Sequence, residues 1–203
     1  MTAVRAALFA ALVALSPAPG FAQDKDSRAE IFISGQMLVA APRIADPRFQ
    51  KTVIVMIRHD ADGAFGLIVN RTIGSGSLKN FLKGLGRAGG DEGGDLALHY
   101  GGPVQGDVGF VLHSADFHSA TSQVVGPGIA WSPAPDALDA ASRGEGPKRL
   151  LFAFGYSGWG SGQLEGEIER GDWLIAPADA DLVFDLTGDA AWDKARAGAA
   201  VRL

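Results

Sequence analysis

The chain has 203 residues, 47% of them hydrophobic and 20% charged, and a formal net charge of −5. It contains no cysteine, which excludes disulfides, thiolate metal centres and a cysteine nucleophile. Its acidic balance, with Arg43, Arg48, Lys51, Arg58 and Arg71 scattered singly, offers no footprint for nucleic acid, whose binding is driven largely by clustered Lys and Arg.

The first segment stands apart from the rest. Arg5 supplies a short positive region, residues 6–15 are an uninterrupted apolar run, and Ser16-Pro17-Ala18-Pro19-Gly20 breaks any helix. Gly20-Phe21-Ala22 then places small residues at the two positions a signal peptidase reads, before the polar Gln23-Asp24-Lys25-Asp26. The pattern predicts a cleaved signal peptide over residues 1–22 and a periplasmic or secreted mature chain, the alternative being a cytoplasmic protein. Ten apolar residues fall short of the ~20 that a bilayer-crossing helix needs, and no later stretch is longer. No transmembrane segment is therefore expected in the mature chain. Cleavage after Ala22 removes Arg5 and no acid, leaving 17 basic against 23 acidic residues.

Residues 23–34 read as a loose entry and residues 35–203 as one domain. Residues 35–42 predict a short strand ended by Pro42, which cannot donate to a ladder. The β-branched run 52–57 and the apolar run 64–69 predict a hairpin around His59-Asp60-Ala61-Asp62-Gly63. Ser77 opens a helix with Leu78, Phe81, Leu82 and Leu85 on one face, stopped near Gly86. After the glycine-rich, acidic stretch 86–95, residues 96–100 and 108–113 read as a second strand–turn–strand unit. Residues 122–125 and 129–131 read as a further hairpin. A helix at 135–142, a strand at 149–154, a helix at 161–170 with Leu164 and Ile168 buried, and a strand at 172–176 follow. Helical turns at 179–186 and 189–197 close the chain. Strands outnumber helices and begin as hairpins, which predicts an α+β fold, a compact single domain with a largely antiparallel sheet flanked by short helices.

Three segments in order resemble the YqgE/AlgH family. The first runs from Gly35 to Arg71, with Met37-Leu38-Val39-Ala40-Ala41-Pro42, Asp46-Pro47-Arg48-Phe49, Thr52-Val53-Ile54-Val55 and Phe65-Gly66-Leu67-Ile68-Val69-Asn70. The second is Tyr100-Gly101-Gly102-Pro103-Val104. The third is Phe154-Gly155-Tyr156-Ser157-Gly158-Trp159, followed by Gly162-Gln163-Leu164-Glu165-Gly166-Glu167 and Trp173. The resemblance covers nearly the whole mature chain and implies a compact α+β fold with a coiled central sheet. It also implies the family's customary label of transcriptional regulator, and it brings no agreed active site. Family members usually begin close to the first segment; this chain places a signal peptide before it.

Chemistry is sparse. Residues 155–167 read as a strand end, a glycine-rich turn and a helix that could offer backbone N–H groups to an anion. The turn lacks the Lys-Ser/Thr of a P-loop and does not match G-x-G-x-x-G. Ser157 falls outside G-x-S-x-G because Trp159 stands where glycine is required. The structural alternative is that these glycines allow positive φ and close packing beneath Trp159. Glu165 and Glu167 point to different helix faces and form no dyad. Histidines 59, 99, 113 and 118 have no metal-ligand spacing, and Asp60-Ala61-Asp62-Gly63 lacks the downstream ligands of a calcium loop. No catalytic residue, metal or cofactor is expected.

The sequence thus points to a non-enzymatic regulatory or binding protein that contacts another protein or a small ligand, with no nucleic acid partner if exported. Its candidate surface comprises Tyr156, Ser157, Trp159 and Glu165, with Asn70, Gly101 and Gly102 adjacent. One alternative is a hydrolase using Glu165 or Glu167, which a histidine within hydrogen-bond reach in a cleft would favour. The other is the cytoplasmic regulator that the resemblance implies. N-terminal sequencing of the native protein after fractionation is expected to begin at Gln23 in the exported fraction; an intact Met1 on cytosolic material would overturn export.

Overall fold

The computed structural model describes residues 32–88, 90, 94–132 and 136–199. Residues 1–22, where a signal peptide is expected, most of residues 23–34 and Pro135 lie outside the described residues. Among the described residues ten strands and five helices follow one another, beginning with β1 (Gln36–Ala40), β2 (Val53–Asp60), β3 (Gly63–Ile68), β4 (Thr72–Ser77), α1 (Leu78–Gly84), β5 (Asp95–Tyr100) and β6 (Val104–Ser114). Then come β7 (Gln123–Gly126), β8 (Ile129–Ser132), α2 (Asp136–Ser142), β9 (Leu150–Gly160), α3 (Gln163–Glu169), β10 (Trp173–Pro177), α4 (Ala180–Asp185) and α5 (Gly188–Gly198). The fold is the expected α+β arrangement. Its sheet runs β10-β1-β2-β3-β9-β6-β8-β7, with the β4–β5 pair branching from β9. Every pairing is antiparallel except β5 with β9.

The sheet curls into a half-barrel. A Cβ added at Gly35, just before β1, would lie 2.1 Å from the Val125 carbonyl oxygen in β7, and one at Gly126 would meet Ala178, just beyond β10. The last strand of the sheet therefore returns beside the first. Period-two alternation in the strands divides the core between the two faces. Met37, Val39, Val53, Val55, Leu67 and Leu112 pack on one face with Trp192 of α5 and Leu182 of α4. Leu38, Ala40, Ile54, Met56 and Ile68 pack on the other with Leu164 of α3, Trp159 and Trp173. Helices α1 and α2 bury Leu78, Leu82, Ala137 and Leu138 against Leu96, Val111 and Phe152.

The β2–β3 and β7–β8 hairpins form as the sequence predicts. Other expectations are corrected. Strands β5 and β6 are not a paired unit, because β9 inserts between them: Leu98 pairs Phe152 on one side and Phe110 pairs Ala153 on the other. Strand β4 was not predicted. Its Thr-Ile-Gly-Ser-Gly-Ser sequence has little strand propensity, and it is held by pairing with β5. Leu85 does not join the buried face of α1 but is 52% exposed, since the helix ends at Gly84 and the chain turns at Gly86 with φ +71°. The largest correction is β9. The glycine-rich stretch expected as a turn continues the strand to Gly160, because β3 takes it up with Phe65 opposite Gly158 and Ala64 opposite Trp159.

Gly155 makes this continuation work. At φ +69° it is left-handed, and side chains on either side of it change parity. Leu151 and Ala153 share a cluster with Tyr156, while Phe152 and Phe154 pack with α1 and α2 and Trp159 with α3. The backbone of Gly101–Gly102 lies directly against this point. A Cβ on Gly101 would sit 2.2 Å from the Gly155 oxygen, one on Gly102 2.2 Å from the Tyr156 carbonyl carbon, and one on Gly155 2.5 Å from the Gly102 oxygen. These are backbone atoms, those of Gly155 and Tyr156 fixed within β9, and cannot step aside. Gly102→Ala is expected to cost about 3 kcal/mol or more, combining strain at φ +153° with the clash, whereas Gly160→Ala, with open space around it, should stay within about 0.5 kcal/mol in urea unfolding.

Candidate functional site

The segment from Tyr156 to Trp159 divides two clefts. On one face, Phe65 of β3 stands at the centre of a ring cluster. Its centroid lies 5.0 Å from Tyr156, 5.5 Å from Phe110 and 6.1 Å from Trp131. These rings, with Ile57, Arg58, Val104, Gln123, Gly158 and Trp159, line a cleft of about 790 Å³. Arg58 is its one formally charged lining residue among the described residues. The indole Nε1 of Trp131 is buried without a protein acceptor among the described residues. Tilted and edge-to-face rings with few polar groups are what an apolar or aromatic ligand meets favourably.

On the other face, a cleft of about 490 Å³ lies between Trp159, Trp173 and the loop that carries Arg43, Asp46, Arg48 and Phe49. All three segments that carry the sequence resemblance meet there, through Asp46–Phe49, Pro103–Val104 and Trp159–Trp173. Glu167 forms the centre. Its Oε2 accepts from the Nε1 groups of both Trp159 and Trp173 at 2.8 Å, and its Oε1 accepts from Gln163 Nε2 at 2.9 Å. Buried indole N–H groups need an acceptor, and one carboxylate serves two of them. Around it, Arg48 forks onto Asp46 and holds that carboxyl below the usual carboxylate range, while Arg170 binds Asp172. Each acid of this cleft is already paired within the protein.

Glu165 has a different partner. Its Oε1 lies 2.9 Å from His59 Nε2, and His59 Nδ1 accepts the N–H of Ile33 at 3.2 Å. That backbone bond places the ring proton on Nε2, which donates to Glu165. The His–Glu contact that a hydrolase would need is thus present, yet both ring nitrogens are occupied. The His59 side chain is 1% exposed, and neither residue lines either cleft. The arrangement clips α3 to the end of β2.

The structure separates the residues that the sequence grouped. Tyr156 is half-buried on the aromatic face; Ser157 is buried on the opposite side, its hydroxyl donating to the Gly101 carbonyl at 3.3 Å. Trp159 is 8% exposed and borders both clefts. Gly101 and Gly102 do adjoin Tyr156 and Ser157, as backbone packed on backbone. Asn70 lies elsewhere. It is 2% exposed, accepting from Val53 N–H at 2.8 Å and donating to the carbonyls of Lys51 and Gly188, and so ties β2 and β3 to the start of α5. Phe65, Phe110 and Trp131 were not singled out in the sequence. Their strand positions could have signalled them, since aromatic residues on one parity of three strands converge when the strands pair. A buried chain of hydroxyls on His113, whose Nε2 accepts from Ser132 at 3.1 Å, was also unforeseen and lines neither cleft. Among the described residues no group of three or more His, Asp or Glu is arranged for a metal, and no helix is long and apolar enough to cross a membrane.

A family model described as AlgH-like matches residues 37–203. A UPF0301 protein of Methylococcus capsulatus is 46% identical over 162 residues, covering 80% of this chain and 88% of its own. One from Caulobacter vibrioides is 44% identical over 169 residues, covering 82% and 86%. The solution structure of the AlgH protein from Pseudomonas aeruginosa is similar at 34% identity and a TM-score of 0.65, covering 80% of this chain and 86% of that one. A crystal structure from Corynebacterium diphtheriae, 22% identical with a TM-score of 0.61 over 79% of this chain and 84% of its own, shares the fold.

Burial pushes the imidazoles of His99 and His113 below their usual range, outweighing the backbone hydrogen bonds to Val69 and Ser114 that act the other way. A histidine with a depressed folded pKa resists a proton that the unfolded chain accepts. Stability is therefore expected to be level above pH 6.5 and to fall as pH drops below it, by up to about 1.4 kcal/mol per pH unit per histidine until the folded pKa is passed. Urea unfolding across pH 7.5 to 5 checks this; in His99→Phe the slope should be roughly halved, and an unchanged slope would exclude His99 as a contributor.

Proposed function

The chain belongs to the AlgH-like family, and within it we propose an exported, non-enzymatic binding protein whose recognition surface is the aromatic cleft of Phe65, Phe110, Trp131 and Tyr156. One observation carries this reading: among the described residues the cleft is lined by rings, aliphatic and small residues, one amide and a single guanidinium, with no carboxylate, imidazole or serine. Such a lining can hold an apolar or aromatic side chain or small molecule by burial and ring contact. Among the described residues it has no base to take a proton and no hydroxyl nucleophile but the phenol of Tyr156. Gln123 and Arg58 at the rim supply polar anchoring for the outer part of a ligand.

The glutamates that a hydrolase would use support binding rather than turnover. Glu167 is held by two indoles and a glutamine, and Glu165 by a histidine with no free nitrogen. Neither can approach a substrate without breaking the packing of α3. Export fits a surface whose partner is a protein or small ligand outside the cytoplasm, and the acidic balance of the chain fits a role away from nucleic acid.

The test is photocrosslinking in cells, with benzoylphenylalanine replacing Tyr156 and, as a control, Asp193 on the exposed side of α5. A discrete adduct from position 156 that is lost on Phe65→Ala, in protein that still melts cooperatively, is the expected result. Equal adducts from both positions, or none from 156, would move the recognition surface elsewhere.

A further inference from the structure

A third depression, of about 800 Å³, lies on the far side of Arg48 between the start of β4, the end of β5 and the turn into α5. Its charge departs from that of the chain as a whole. Arg48 and Arg71 line it, and among the described residues no Asp or Glu does, although the chain carries 23 acids against 18 basic residues. Arg71 is anchored by carbonyls alone: Nη1 donates to Arg48 at 2.6 Å, and Nη2 donates to Gln50 at 2.8 Å and Pro47 at 3.4 Å. Carbonyl dipoles fix a guanidinium in place without cancelling its charge, and its Nε–H remains without a partner among the described residues. Arg48 does have a carboxylate, Asp46, which grips it from outside this lining, and Asp189 beside the turn is drawn off by Lys51 at 2.5 Å.

Three hydroxyl-bearing residues line the same depression from three separate elements. Thr72 begins β4, Tyr100 ends β5 and Thr187 precedes α5; none has a side-chain hydrogen-bond partner among the described residues, and Thr187 does not cap its helix. Ile73, 59% exposed, and Pro47 supply an apolar wall.

We propose that this depression binds an organic phosphomonoester, with the phosphate between Arg71, Arg48 and the three hydroxyls and the organic part against Ile73 and Pro47. Fixed guanidinium charge with several uncommitted donors matches a tetrahedral dianion better than a planar carboxylate, which has fewer acceptor directions to fill. The volume exceeds what a free phosphate occupies and falls in the range of small-molecule sites. The site is separate from the aromatic cleft, and neither reading rests on the other.

The test is a titration of the full ¹⁵N-labelled chain with phenyl phosphate, followed by amide shifts, beside phenol, benzoate and inorganic phosphate. Saturable shifts centred on Thr72, Ile73, Tyr100 and Gly188 are expected with phenyl phosphate, at least tenfold tighter than with phenol and weakened by salt. Arg48→Gln, whose side chain is 60% exposed, should fold normally and weaken phenyl phosphate at least fivefold, as should Thr187→Val. Phenol binding as tightly as phenyl phosphate would make the depression merely apolar and overturn the proposal. Equal binding of benzoate would overturn the phosphate assignment, and shifts absent or indifferent to Arg48→Gln would overturn the site.

Discussion

The fold depends on one close approach of backbone to backbone. Gly101 and Gly102 pass against Gly155 and Tyr156 at distances that leave no room for a side chain on any of the three glycines. That contact lets β9 serve two sets of neighbours. Its first half pairs with β5 and β6, and its second half pairs with β3. Without the left-handed turn of Gly155 the strand would keep one parity throughout. The rings now divided between three clusters would then be forced onto the wrong faces, because a one-residue slip exchanges the two sides of a strand.

The consequences reach the surface. The parity change sends Tyr156 to the aromatic face beside Phe65, and Trp159, three residues on, to the face covered by α3. A single strand segment thereby borders a cleft of rings on one side and a cleft of paired charges on the other. The charged side chains near it act as fasteners. Glu167 gathers two tryptophans, Glu165 holds His59, and Asn70 joins two strands to the last helix. A protein without disulfides needs such ties, since its burial of apolar surface has no covalent reinforcement. What these fasteners leave uncommitted is informative: the ring cluster around Phe65 at one place, and the carbonyl-anchored Arg71 with three hydroxyl-bearing residues at another.

Much of the architecture was legible from residue patterns. The run Val53-Ile54-Val55-Met56 and the stretch Gly66-Leu67-Ile68-Val69 specify strands whose turn chemistry lies between them, and Leu164 marks the buried side of α3. The candidate surface was legible only in part. Tyr156 lines the aromatic cleft, whereas Ser157 is buried on the opposite side and Trp159 borders both clefts, a division hidden in the sequence because glycine density at 155–160 reads locally as a turn. In the folded chain that density serves close strand packing. Asn70 was placed with the same surface, although its amide is fully engaged near α5. Phe65, Phe110 and Trp131 were invisible as a group, since their separation along the chain hides a contact that exists only across paired strands.

The sequence by itself determined the strand-rich α+β class, the positions of most elements, the family segments and the absence of thiol chemistry, because these follow from local periodicity, turn residues and composition. Tertiary structure decided which residues share a face. Strand parity, the insertion of β9 between β5 and β6, and the partners of each carboxylate are non-local, being set by which backbones can approach closely enough to pair. Glycine at 101, 102 and 155 permits that approach, but only the packed chain reveals that the three belong to one contact.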